Sequence, residues 1–174
     1  VLVKGKNIAF LIDGGVKNAY PQIKAEVNSS TKLAILDLGS RKYRGRIEIG
    51  TYGKSNVSAV NVVNVESYLY GVVPAEMVSS WPMEALKTQA VCARSFVLSK
   101  VSYGSDTSLS KPYIVDDTTS SQVYKGYDSE NTRTTKAVND TKGQVIVYDG
   151  KIIPAYFFST SGGSTEYGED VWGN

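Results

Sequence analysis

Histidine is absent from the 174 residues, and cysteine occurs once. Without histidine there is no Ser-His-Asp or Cys-His nucleophile, and a single thiol allows neither an intrachain disulfide nor a Cys/His zinc site. Any proton chemistry therefore falls to Asp, Glu, Tyr or Lys. No apolar run approaches the ~20 residues of a membrane span. An excess of one charge is missing as well: 19 Lys and Arg, scattered along the chain, stand against 17 Asp and Glu, so no basic footprint for nucleic acid is visible. With 41 % hydrophobic and 21 % charged residues the composition is near the globular average, and disorder, collagen-like repeats and coiled coil are poor readings of it.

What is present fits one domain over residues 1–174, because a chain of this length buries roughly 70 % of its unfolded surface. Few cysteines with abundant Ser, Thr, Gly and Tyr suit an exported bacterial surface protein, a balance that cytosolic proteins also show. The sequence opens at Val1 without Met or a charged-then-apolar leader. It reads as an excised piece, with any targeting signal or membrane anchor outside it.

Up to about Asn64 the texture is that of antiparallel strands. Ile8-Ala9-Phe10-Leu11-Ile12 and Leu33-Ala34-Ile35-Leu36 are set off by Asp13-Gly14-Gly15 and Asn28-Ser29-Ser30. Residues 43–50 alternate polar and apolar, and residues 57–65 are dense in β-branched side chains. From Glu66 one or two helical turns are expected, stopped by Gly71 and by the restriction that Pro74 places on Val73, with a second short turn opening at Pro74. The strongest helix spans residues 82–100, with Pro82 first, Glu84 at the positive end of the dipole and Lys100 near the other. Met83, Leu86, Ala90, Ala93 and Val97 recur at steps of three and four, widened by Phe96, and make this the central buried helix. Residues 103–122 read as a loop. Ser129 is placed to cap a helix over 130–141, with Gly143 as a left-handed stop. Asp149-Gly150 then turns a hairpin over 144–158 that completes the core. Strands, then helices, then a hairpin leave no room for parallel βαβ units, so the expected class is α+β.

Glu76, in Val72-Val73-Pro74-Ala75-Glu76-Met77, is a carboxylate in apolar company. Such surroundings disfavour the charged form and suit a general acid; a Glu serving the dipole from the first turn of a short helix is the other reading. Glu84 reads as a solvated dipole partner. Tyr156-Phe157-Phe158-Ser159-Thr160-Ser161-Gly162-Gly163 leads an aromatic strand end into a hydroxyl- and glycine-rich turn. It is either a surface loop or a segment that meets the hydroxyl and acetamido groups of a sugar chain. Glu166, Glu169 and Asp170 read as an exposed acidic turn, with no calcium-loop spacing; a second carboxylate for the site or a cation ligand set is the other reading. Tyr68, Tyr70, Trp81 and Trp172 are divided between sugar stacking and core packing. Cys92, among small residues, reads as packing.

Tyr68-Leu69-Tyr70-Gly71-Val72-Val73-Pro74-Ala75-Glu76-Met77 followed by Ser80-Trp81-Pro82-Met83-Glu84-Ala85-Leu86-Lys87-Thr88-Gln89-Ala90-Val91-Cys92-Ala93-Arg94-Ser95-Phe96 closely resembles the signature of the SpoIID/LytB family, that of stage II sporulation protein D and the amidase enhancers. Tyr43-Arg44-Gly45, Ser159-Thr160-Ser161-Gly162-Gly163-Ser164-Thr165 and Glu169-Asp170-Val171-Trp172-Gly173 extend the likeness in family order.

The resemblance implies a secreted or membrane-tethered bacterial protein of the cell wall that acts on peptidoglycan glycan strands. For the sporulation branch it implies a lytic transglycosylase that leaves 1,6-anhydro-MurNAc ends. For the enhancer branch it implies a wall-binding module that stimulates a partner amidase or other wall hydrolase. The family's catalytic Glu falls on Glu76, and Tyr156, Ser159, Thr160, Ser161, Gly162 and Gly163 are expected to line the same groove as substrate-binding residues. Some members bind zinc near the site through Cys and His; equivalent ligands are absent from this sequence, so neither metal nor cofactor is expected. The family usually runs on past Asp-Val-Trp into a Gly- and His-bearing motif and a closing helix, so the domain is expected to be truncated at its C-terminus.

Overall fold

The structure is a computed structural model that describes residues 2–4, 7–12, 15–20, 22–26, 35–52, 56–102 and 113–173, with side chains from residue 35 onward except those of 51–56 and 172. It is an α+β fold in which every strand pairing among the described residues is antiparallel. Strands β1 (Leu2–Lys4), β2 (Asn7–Ile12) and β3 (Gly15–Tyr20) form one sheet. β4 (Gln22–Glu26), β7 (Arg46–Tyr52) and β8 (Asn56–Val62) form a second, and β5 (Ile35–Asp37) pairs with β6 (Lys42–Arg44). The expected turns at 13–14 and 28–30, part of the strand at 33–36 and the loop at 103–112 lie outside the described residues.

The alternating run 43–50 is not one strand. Gly45, at φ +80, divides it between two sheets, and a Cβ there would collide with the Val62 carbonyl. Asn61 secures this kink: its amide donates to the carbonyls on either side, Arg44 O at 2.9 Å and Arg46 O at 3.1 Å, and its Oδ1 accepts from the Tyr124 hydroxyl at 2.9 Å.

Helix α1 (Val65–Glu76) is continuous, which corrects the expected break before Pro74. Asn64 caps its start by accepting from Glu66 N–H at 2.9 Å. Pro74 stands in the last turn, where its fixed φ suits a helix and the missing N–H costs one hydrogen bond. Gly71 does not stop the helix because close approach is what it provides. A Cβ there would lie 2.6 Å from Tyr124 Cε2 and 2.9 Å from the Gly126 carbonyl.

Helix α2 (Met83–Ser102) follows, with the Pro82 carbonyl accepting from Leu86 N–H at 3.2 Å. The expected apolar face is buried at Leu86, Ala90, Ala93, Phe96 and Val97. Leu69, Val72 and Val73 of α1, Tyr124, and Val138 of α3 (Thr132–Asp140) close the core against it.

Two boundaries differ from expectation. Asn131, not Ser129, caps α3, accepting from Arg133 N–H at 2.9 Å, so the helix expected over 130–141 begins two residues later. Ser129 ends a 3-10 turn (Tyr127–Ser129) and donates instead to the Gly126 carbonyl at 2.8 Å. Gly143 is left-handed, at φ +75. Asp149 and Gly150 both have positive φ, 47° and 71°, the mirror-image turn that an Asp-Gly hairpin demands. The strands it joins are short, β9 (Val147–Tyr148) and β10 (Lys151–Ile152), so the hairpin expected over 144–158 ends early. Nor does its tip complete the core: Val147 and Tyr148 are exposed, and within 144–158 it is Ala155 that is buried. A short helix, α4 (Gly168–Trp172), takes in Glu169 and Asp170 of the acidic tail.

The Gly71 contact yields a measurable expectation. Ala favours a helix interior over Gly by about 1 kcal/mol, but overpacking against Tyr124 and a backbone carbonyl costs about 1–3 kcal/mol. Gly71→Ala should therefore lower the thermal midpoint; a raised midpoint would show that the α1–Tyr124 contact is looser than described.

Candidate functional site

Glu76 is the last residue of α1. The helix dipole gathers partial negative charge there, so a carboxylate at this position opposes the helix by about 0.3–1 kcal/mol instead of serving it. This removes the first-turn reading of Glu76. Glu84, by contrast, does stand in the first turn of α2, solvated and paired with Lys87 Nζ at 2.9 Å.

The Glu76 side chain is half-buried, and its Oε1 accepts from the backbone N–H of Val123 at 2.6 Å. The segment supplying that N–H is itself fixed. Gln122 is fully buried, donates through Nε2 to the Ala93 carbonyl at 3.2 Å, and accepts at Oε1 from the Tyr68 hydroxyl at 3.2 Å. Tyr68 and Glu76 lie eight residues apart on one face of α1, so the Gln122-Val123 pair bridges that face to α2. Burial pushes the Tyr68 hydroxyl well above the usual tyrosine range, with the negative charge of Glu76 among the lesser causes. It stays protonated as a donor.

Beyond Glu76 the chain turns to α2 through Ser79, Ser80 and Trp81, and Arg133 of α3 holds this turn. Its Nε donates to the Ser79 carbonyl and its Nη2 to the Trp81 carbonyl, both at 3.0 Å. Trp81 keeps its ring largely exposed. Tyr68 is core and Tyr70 hydrogen-bonds Asn139 Oδ1 at 2.7 Å, so of the stacking candidates with described side chains Trp81 remains free to face a ligand.

Of the second segment, Tyr156 is exposed but packs edge-to-face on Phe96 of α2 with ring centroids 5.8 Å apart. Phe157 turns into the core, and Phe158, Ser159, Thr160, Ser161, Gly162 and Gly163 are exposed. Among the described residues no hydrogen bond joins 159–163 to Glu76. What connects the two segments is α2, which receives Gln122 at Ala93 and Tyr156 at Phe96. Cavities among the described residues lie elsewhere. One of about 400 Å³ between α2 and α3 contains Cys92, whose thiol is pushed up by burial, and one of about 600 Å³ lies between α2 and β8.

Sequence reasoning passed over two arginines. Arg94 is fully buried and spends its whole guanidinium: Nε and Nη2 donate to the two Glu66 oxygens at 3.0 and 2.7 Å, Nη2 also to Val138 O at 3.2 Å, and Nη1 to Gln144 O at 3.1 Å and Ala90 O at 3.5 Å. Arg44 pairs with both oxygens of Glu130 at 2.6 and 2.7 Å and lies 4.9 Å from the Tyr127 ring centre and 5.7 Å from that of Tyr70. The Glu130 hydrogen bond holds its guanidinium charge even more firmly than usual. An arginine on the apolar stripe of α2, one residue after Ala93, was the available signal for the first.

The family model described as "SpoIID: Stage II sporulation protein" matches residues 53–148, more than half of the chain. The chain belongs to the SpoIID family. The match takes in Glu76 and Arg94 and stops short of Tyr156. The amidase enhancer of Bacillus subtilis (strain 168) is 45 % identical over 104 residues, 60 % of this chain and 13 % of that protein. Stage II sporulation protein D of the same organism is 36 % identical over 137 residues, 72 % of this chain and 40 % of its own. An uncharacterized protein of Brachyspira hyodysenteriae is 38 % identical over 136 residues, 78 % of this chain and 36 % of its own. The SpoIID-family chain thus spans less than half the length of these relatives.

Removing one partner of the Arg94–Glu66 pair strands a buried charge, at a cost of about 3–5 kcal/mol. Arg94→Met should destabilise by that order in chemical denaturation. The double variant with Glu66→Gln should recover part of the loss, and additive losses would show that the two side chains are not coupled.

Proposed function

We propose that this SpoIID-family chain is the glycan-processing part of an extracytoplasmic bacterial wall protein, a lytic transglycosylase whose single acid–base group is Glu76. The observation that carries the reading is the placement of Glu76: a half-buried carboxylate at the unfavourable end of a helix, one oxygen tied to the Val123 N–H at 2.6 Å. A carboxylate kept where the dipole opposes it has a use other than stabilising the helix. The relatives named stage II sporulation protein D and amidase enhancer support a role at the cell wall.

The chemistry suits a chain without histidine. Ordinary glycosidases need two carboxylates at a set separation, one of them to supply the nucleophile or activate water. Here the substrate's own hydroxyl takes that part. Glu76 gives its proton to the glycosidic oxygen between MurNAc and GlcNAc as the bond from that oxygen to the muramic C1 breaks. The muramic 6-hydroxyl oxygen closes on C1, and its proton returns to Glu76. The product carries a 1,6-anhydro ring and the acid is regenerated. The Val123 N–H fixes one carboxylate oxygen, which leaves the other to carry the proton. The exposed ring of Trp81 offers a stacking surface, and Tyr156, Ser159, Thr160, Ser161, Gly162 and Gly163 are proposed to hold the glycan on the far side of Phe96.

A second reading is favoured by the 45 % identity to an amidase enhancer: a wall-binding module that stimulates a partner amidase. Mass spectrometry of glycan digested by the full-length protein separates the two, because anhydro-muramic ends arise from a transglycosylase and not from an amidase. Glu76→Gln keeps the acceptor for Val123 N–H and removes the proton. It should cut anhydro product formation by ~10²–10⁴, the usual range for losing acid–base catalysis, while glycan binding persists. Glu84→Gln should leave turnover unchanged. An active Glu76→Gln would remove the assignment, and stimulation of an amidase without anhydro products would favour the second reading.

A further inference from the structure

Gln89 stands in α2 one turn before Ala93 and two before Phe96, so the three share the flank of the helix that receives the Gln122 amide and the Tyr156 ring. Its side chain leans toward the start of α2. The chain has just turned there from the end of α1, where Glu76 sits. The flank carrying Lys87 and Val91 faces α3 and the smaller cavity.

The Gln89 amide is unspent. Its Nε2 is buried without a hydrogen-bond partner. Among the described residues its Oε1 has no partner either, and it is not among the buried orphans, so it reaches the surface. Gln122, on the same flank, uses both ends of its amide. A buried amide hydrogen without an acceptor costs about 1–3 kcal/mol. Apolar Met, of similar length, would avoid that cost at this position. A half turn about the last side-chain torsion, which is soft and nearly two-fold, exchanges the two atoms and brings the donor to the surface.

We propose that Gln89 is a positioning residue of the Glu76 site, its turned amide donating from Nε2 to the acetamido carbonyl oxygen of an amino sugar in the bound glycan. The proposal rests on the reading of Glu76 as the group that acts on glycan. An amide nitrogen can only donate, and the acceptors of such a glycan are hydroxyls and acetamido carbonyls. The carbonyl is the better match for a half-buried donor, because it accepts without a hydrogen of its own to place.

The test uses the full-length protein carrying Glu76→Gln, so that glycan is bound and not consumed, with two probes of equal length: N-acetylated glycan strands and the same strands after chemical N-deacetylation. With Gln89 intact the acetylated strand should bind about tenfold more tightly, the worth of one such hydrogen bond. Adding Gln89→Met should abolish that preference by weakening the acetylated strand alone, while the thermal midpoint stays equal or rises. Gln89→Glu, which keeps the shape and loses the donor, should do the same to binding. An unchanged preference in Gln89→Met, or an equal loss for both strands with a lowered midpoint, would overturn the proposal and leave the reading of Glu76 standing. A preference that Gln89 controls, in a protein that never yields anhydro products, would instead remove the transglycosylase and keep Gln89 as a glycan contact. Binding of neither strand by the parent would remove both.

Discussion

The helical half of this SpoIID-family chain depends on one buried cation. Arg94 has five N–H donors, and acceptors from four parts of the chain meet them: Glu66 at the start of α1, Ala90 in its own helix, Val138 in α3 and Gln144 in the turn that follows. Glu66 extends the network by accepting from the Gly143 N–H at 3.2 Å. Burying a guanidinium is expensive, and its attraction to one carboxylate repays that only when every remaining donor is met. The four segments must therefore sit in one arrangement, and sliding any of them leaves a donor unmet in a dry interior.

That constraint reaches the candidate site through a rigid body. Glu66 and Glu76 belong to the same α1, ten residues and so about 15 Å apart, and a helix packed on α2 along Leu69, Val72 and Val73 transmits position from one end to the other. At the far end Gln122 and Val123 fix the second coordinate, since Gln122 ties α2 to Tyr68 while Val123 ties itself to Glu76. The candidate acid is thus set between a buried ion pair and a buried amide. The turn behind it is held separately by Arg133 through two carbonyls.

The sequence made some of this legible and hid the rest for physical reasons. The face of α2 was readable because Leu86, Ala90, Ala93 and Val97 repeat with the helical period and all of them are buried. The Asp-Gly turn was readable because both of its residues need positive φ, which Asp and Gly tolerate. Residue types that usually break helices misled: Gly71 and Pro74 argue locally against α1, yet Gly71 is required by the Tyr124 contact and Pro74 falls where only one N–H is lost. The kink at Gly45 was invisible because its cause is Val62, on a different strand. Position in a helix also decided Glu76. Once α1 runs through Pro74, the same carboxylate moves from the favourable end of a short helix to the unfavourable end of a longer one, and the helix dipole no longer explains it.

Three residues contradict what local stability alone would choose, and all belong to α1 or α2. Gly71 weakens the helix that it occupies, Glu76 opposes the dipole at that helix's end, and Gln89 buries an amide hydrogen with no acceptor. The first is explained inside the molecule, because Tyr124 and Gly126 occupy the space a side chain would need. Among the described residues the other two have no such account: no contact gains from a carboxylate at residue 76 that a glutamine would not supply to the Val123 N–H, and none gains from an amide at residue 89. Sequences violate local rules where a function demands it and meet the cost elsewhere, here through a core closed around Arg94. The two unexplained polar groups lie on elements joined by the same Gln122-Val123 bridge, so a shift of the end of α1 relative to α2 moves both.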